Sequence, residues 1–114
     1  MIYEPFSIAI VPFPFTDKLQ TKRRPALVLS SRRYQKDTGH VTLLMITSAK
    51  NSHWNSDYLI KDMHTTGLAS PSIVRQKLFT IDNRLIIDCL GKLSSNDVKE
   101  IKSRVAEHIA VFSQ

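Results

Sequence analysis

The sequence predicts a mainly β (α+β) domain: about six or seven short strands curled into a small barrel, closed off by one C-terminal helix. Short apolar, β-branched runs separated by polar turns occupy the chain up to about residue 93. At Ser94 the apolar residues change to three- and four-residue spacing. With 114 residues, 42% of them hydrophobic, the chain has the size of one domain around a single core, and no repeat, linker or low-complexity tract divides it.

Ser7 to Phe15 opens the β portion. Pro12 and Pro14 break it, because neither can donate to a ladder, so its second half is expected to leave the sheet at an edge or bulge. Pro25 to Ser30 and Val41 to Ile46 are uninterrupted apolar runs of the kind buried on both faces, although periodicity alone leaves a helix possible there. Thr38-Gly39-His40 reads as a turn, and Gly67 with Ser70-Pro71 brackets the next connection. Ile73-Val74, Leu78 to Ile81 and Leu85 to Leu90 complete a barrel spanning about 6–93. Ser94 and Ser95 then offer N-caps, Asp97 and Glu100 suit the positive end of a helix, and Val98, Ile101, Val105, Ile109 and Phe112 form its apolar stripe. That helix is expected over about 95–112.

Composition narrows the function. A formal charge of +6 suits a polyanionic or acidic partner, though excess lysine also serves solubility alone. Cys89 is the only cysteine, so neither an internal disulfide nor a cysteine-based zinc site can form, which fits a reducing, cytoplasmic setting. The residues around Met1 lack a basic stretch followed by a long apolar one, and Ile8 to Val11 is too short to span a bilayer, so neither secretion nor a membrane association is expected. Phosphate-loop, dinucleotide, zincin and nucleophile-elbow motifs are missing. His40, His53, His64 and His108 are scattered rather than spaced as ligands, and no metal or other cofactor is expected; His108, beside Ile109, reads as a helix boundary residue.

Three ordered segments carry a family resemblance. The first is Val11-Pro-Phe-Pro-Phe-Thr-Asp17, followed by Lys22-Arg-Arg-Pro-Ala-Leu-Val-Leu-Ser30. The second is Met45-Ile-Thr-Ser-Ala49 with Ser52-His-Trp-Asn-Ser-Asp57 behind it. The third is Gly67 to Arg75, Lys77-Leu-Phe-Thr-Ile-Asp82 and Leu90-Gly-Lys-Leu-Ser94. In order and separation they resemble the MazF/PemK family of type II toxins, the mRNA interferases, and most of all its PemK-like branch. The resemblance implies an SH3-like small β-barrel of the CcdB/MazF/Kid toxin type with a C-terminal helix. It also implies a homodimer, metal-independent and sequence-specific cleavage of single-stranded RNA, and a cognate antitoxin protein whose acidic or disordered segment covers the RNA groove.

Cleavage without a metal uses the neighbouring 2′-hydroxyl as nucleophile, so the site must align that hydroxyl, stabilise charge on phosphorus and protonate the leaving 5′-oxygen. By resemblance the catalytic pair is Arg24 and Thr47. A guanidinium forks onto phosphate oxygens and stays charged, and Pro25 holds the residue before it extended. Neither side chain is a general base suited to neutral pH, whereas histidine is, so His53 stands in reserve. Lys18, Lys22, Arg23, Arg75 and Lys77 read as a phosphate track and Phe15 and Trp54 as stacking platforms, with Thr16, Ser48 and His53 beside them as RNA contacts. Each has an ordinary alternative: a solvated charge for the cations, dimer packing for Trp54, and the core for Phe13 or Phe15, one of which must alternate inward.

The pattern departs from the family at Phe6-Ser7, where a Gly-Asp dipeptide is common, and at Gln76-Lys77, where some members carry an acid. A toxin of the same scaffold that poisons DNA gyrase is disfavoured by the terminal Phe112-Ser-Gln114, which lacks that relative's tryptophan. A barrel that binds nucleic acid, RNA or DNA, without cutting it is the remaining alternative.

Overall fold

The computed structural model describes residues 1–13, 22–51 and 53–112. In chain order it forms β1 (Ser7–Phe13), β2 (Lys22–Val28), α1 (Arg32–Thr38), β3 (His40–Ser48), β4 (Tyr58–Leu59), β5 (Ser72–Asp82), β6 (Asp88–Lys92) and α2 (Ser95–His108). The strands make one sheet in the order β4-β5-β3-β2-β1-β6, antiparallel throughout and curled into a half-barrel. Six strands and the closing helix agree with the expected class.

The apolar runs of β2 and β3 do not alternate because both faces of the sheet are covered. Ile8, Leu27, Leu44, Ile46 and Val74 point to one side, where Tyr58, Leu93 and Ile101 complete a core under α2. Ala9, Val11, Ala26, Val28, Val41 and Leu43 point to the other, closed by Ile86 with Tyr3, Phe79 and Ile81 packed against it. β6 pairs with β1 only from Ser7 to Ile10, so Pro12 lies beyond the end of β6, in the edge position a residue without an N–H requires. Pro14 and Phe15 lie outside the described residues.

Several elements differ from the expectation. α1 replaces a stretch read only as leading into a turn; it has no apolar stripe, and its limits are set by its caps. The Ser31 side chain accepts from the Tyr34 N–H at 3.1 Å, and Gly39, at φ 69°, gives its N–H to the Gln35 carbonyl at 2.8 Å. Gln35 is 1% exposed and ties the N-terminal segment down, accepting from the Tyr3 N–H and donating to the Tyr3 carbonyl. Ile73-Val74 and Leu78 to Ile81 are parts of one strand, β5, which bulges by two residues: Leu44 pairs with Leu78 but Met45 pairs with Arg75, leaving Gln76 and Lys77 unopposed. Leu85 to Leu90 divides into a 3-10 turn at Asn83–Leu85 and the start of β6. The two-residue strand β4 carried no signal of its own.

Ser94 is the N-cap of α2, as its position suggested. Ile101 is buried and Val98 and Val105 pack beside it, but the expected stripe fails at its end: α2 stops at His108 and Phe112, in a following 3-10 turn, is 62% exposed. Asp97 in the first turn is fully buried and binds three elements together. Its carboxylate accepts from the Tyr58 hydroxyl, from the Lys61 N–H at 3.2 Å and from the Asp62 N–H at 2.9 Å. Burial alone would raise this carboxyl, but the Tyr58 hydroxyl and the two backbone donors outweigh it and hold it below the usual range.

Replacing Asp97 by alanine strands those donors and is expected to lower unfolding free energy by about 3 kcal/mol, read from urea titration. Because the folded carboxyl titrates below the unfolded one, its contribution is complete above about pH 4 and is lost as pH falls through the depressed folded value. Part of the acid limb of the stability profile is therefore expected to vanish in Asp97→Asn.

Candidate nucleic-acid interface

β2 and β3 pair at Val28 with Leu43, Leu27 with Leu44 and Ala26 with Met45. The ladder ends at Ala26 with Met45; Arg24 and Thr47 each lie two residues beyond that pair, so the period of two puts both on the face that holds Ala26 and Met45. Arg24 also pairs with Val11 of β1, which fixes its strand from the other side. The Arg24 side chain is half-buried, and its Nε is buried with no hydrogen-bond partner among the described residues. Thr47 is 5% exposed, and its Oγ1 accepts from Asn51 Nδ2 at 2.6 Å. That bond occupies a lone pair of the hydroxyl and leaves its proton available to another acceptor.

A second unit is built from β5 and the loop before β4. Arg75 grips Asp57 through two parallel bonds, Nε to Oδ1 at 3.0 Å and Nη2 to Oδ2 at 2.9 Å, with side chains only 10% and 5% exposed. Asp57 Oδ2 also accepts the Trp54 N–H at 2.8 Å, and the Arg75 guanidinium lies 4.8 Å from the centre of the Trp54 ring. Burial pushes the Asp57 carboxyl up, but the Arg75 bonds and the Trp54 N–H prevail and hold it below the usual range. Arg104 of α2 steadies the same loop, donating from Nη1 to the Ser56 and Asp57 carbonyls at 3.4 and 3.1 Å.

Arg75 therefore departs from its expected place in an open phosphate track: the guanidinium is engaged beneath Trp54, and the indole above it is 45% exposed. Lys22 and Arg23 are exposed at the start of β2, Lys77 is exposed in the β5 bulge, and His53 is exposed one residue before Trp54. Ser48 is half-buried and its Oγ accepts from the Lys50 N–H at 3.2 Å. Phe15, Thr16 and Lys18 lie outside the described residues. Among the described residues no three His, Cys, Asp or Glu side chains gather as a metal site would require, and no helix is long and apolar enough to cross a membrane. Asn51, Asp57 and Arg104 were not singled out from sequence. Of these only Asp57 stood inside a quoted motif, and its charge opposite Arg75 was the one available signal.

A curled antiparallel sheet closed by a C-terminal helix, with the exposed cations Lys22 and Arg23 at the start of β2, is a small basic β-domain. The chain belongs more narrowly to the PemK-like, MazF-like toxins of type II toxin–antitoxin systems, whose family model matches residues 4–109. Solved structures share the fold. MazF from Deinococcus radiodurans superposes with a TM-score of 0.74 at 18% identity, covering 95% of this chain and 96% of that one. The Mycobacterium tuberculosis toxin MazF-mt6 does so with 0.71 at 20% identity, covering 89% and 93%. A mycobacterial endoribonuclease in complex with its cognate antitoxin gives 0.72 at 14% identity over 93% and 91%. No curated protein matches the chain in sequence.

Asp57→Ala should release Trp54, the only tryptophan, and strip the buried Arg75 guanidinium of its bidentate carboxylate. The expected result is a red shift of tryptophan emission and a loss of about 3 kcal/mol of stability, read by fluorescence and urea titration.

Proposed function

We propose that this toxin is a metal-independent endoribonuclease that cuts single-stranded RNA, with Arg24 and Thr47 as its catalytic pair. The observation that carries the reading is that Arg24 and Thr47 each lie two residues beyond the pair Ala26 with Met45, on the same face of the sheet, and that Arg24 Nε is buried with no acceptor among the described residues. Its support beyond that is the family, and the solved mycobacterial endoribonuclease of the same fold.

In this mechanism the 2′-oxygen attacks phosphorus, its proton passes to a base, and the bond to the 5′-oxygen breaks as that oxygen takes a proton. The products are a 2′,3′-cyclic phosphate and a 5′-hydroxyl. Arg24 stabilises the extra negative charge on the phosphoryl oxygens, where a fixed cation in a half-buried setting acts more strongly than in water. Thr47 offers its hydroxyl proton to one of those oxygens, aimed by Asn51. His53 serves as the general acid–base group. Trp54 stacks an unpaired base, and Lys22, Arg23 and Lys77 draw in the backbone. We further assign the toxin a homodimeric state, a cytoplasmic location and a cognate antitoxin whose acidic segment competes for the basic face, consistent with the +6 charge.

Purified protein with chelator present is expected to cleave a mixed single-stranded RNA pool, leaving cyclic phosphate ends. Arg24→Ala should lower the rate by about a hundred- to a thousandfold while the dimer persists in sedimentation. Asn51→Ala is expected to lower kcat by roughly tenfold with KM little changed, as suits a residue that only aims Thr47. Intact RNA that is nonetheless tightly bound would replace the nuclease by a binding barrel.

A further inference from the structure

Between the Trp54 loop, the β5 bulge and the last turns of α2 lies a cleft of about 360 Å³, walled by Trp54, Ser56, Gln76, Arg104, Glu107 and His108. That is within the usual range for small-ligand sites, roughly 300–1,000 Å³. The Arg24 and Thr47 chemistry does not use it. Among the described residues, two of its side chains hold donors without acceptors. Gln76 is 5% exposed; its Oε1 lies 3.0 Å from His108 Nδ1, and its Nε2 is buried and unpartnered. Arg104 spends Nη1 on the loop carbonyls, and its Nε is buried and unpartnered as well. Buried polar groups in folded proteins are nearly always hydrogen-bonded, so two incomplete donors in one cleft mark the place of an incoming acceptor.

The other walls describe what carries that acceptor. Trp54 offers an indole face held in place by Arg75 and Asp57, so the ligand is flat and stacks. Glu107 and His108 are exposed at the rim, where the carboxylate can accept a ring N–H. A carbonyl beside a ring N–H is the edge that guanine and uracil present. Adenine and cytosine present an amino group there, which would set donor against donor.

We propose that this cleft is a keto-base pocket of the toxin, in which a guanine or uracil of bound RNA stacks on Trp54. Its exocyclic oxygen accepts from Gln76 Nε2 and Arg104 Nε, and its ring N–H donates to Glu107. Glu107, exposed at the rim, is the side chain that swings to admit it, while Trp54 stays braced. The pocket rests on the RNA-binding reading above but not on cleavage.

Because Trp54 is the only tryptophan, its emission reports the pocket directly. The probes are 2′-O-methyl pentanucleotides, which lack the nucleophile and cannot be cut, titrated into the full-length toxin. The uridine pentamer is expected to bind roughly tenfold more tightly than the cytidine pentamer, and an inosine-bearing one more tightly than its adenosine counterpart. Gln76→Glu, checked for folding by circular dichroism, should abolish or reverse both preferences. Arg104→Lys, which keeps the charge but removes the Nε donor, should weaken them. Equal affinities, no binding, or preferences that survive in both variants would overturn the pocket. Base preference in a protein that cuts no RNA would overturn the nuclease and keep the pocket; cutting without base preference would do the reverse.

Discussion

β3 and β5 run side by side from His40 with Asp82 to Ser48 with Ser72, yet β5 is two residues longer than its partner, and those two residues set the rest of the molecule. Leaving Gln76 and Lys77 unopposed bends the strand and separates its two halves. On the far side, Leu78, Phe79 and Ile81 follow the register of Leu44, Leu43 and Val41. On the near side, Val74 pairs with both Ile46 and Tyr58, and Arg75 sits opposite Met45 and reaches Asp57. Without the bulge the near half would shift along β3, and the ion pair under Trp54 would lose its register with the end of the sheet that carries Arg24 and Thr47.

The same bend explains why α2 can serve both core and surface. Its inner face meets the sheet through Ile101, Val98 and Val105. Its first turn is fixed by Asp97, which takes the Tyr58 hydroxyl and so binds the helix to the short edge strand. Its last turns stand over the bulge, where His108 meets Gln76 and Arg104 reaches back to the Trp54 loop. One helix thus joins the edge strand, the bulge and the loop.

Legibility in the sequence followed how local each signal was. α2 was readable because its cap, its acidic first turn and most of its stripe lie within one short segment. α1 was not, since seven mainly polar residues carry no stripe and are bounded only by Ser31 and Gly39. β5 read as two pieces because the bulge residues are polar and interrupt the apolar pattern. Arg24 and Thr47 came from motif resemblance alone. Gln76 and Arg104 were beyond reach, for their partners lie 32 and 47 or 48 positions away in the chain. Arg75 shows the opposite hazard, a cation noted correctly in a motif whose charge is matched by a carboxylate 18 positions earlier.

The pairing of Arg75 with Asp57 has an electrostatic consequence. Two opposite charges held at 2.9 Å cancel at a distance, so to an approaching polyanion this pair looks nearly neutral. The long-range field of this end then belongs to exposed cations at the start of β2 such as Lys22 and Arg23, whose interaction with a polyanion is screened by salt. Capture of a strand would depend on ionic strength through such cations alone, while the braced indole, largely indifferent to salt, decides which strands stay.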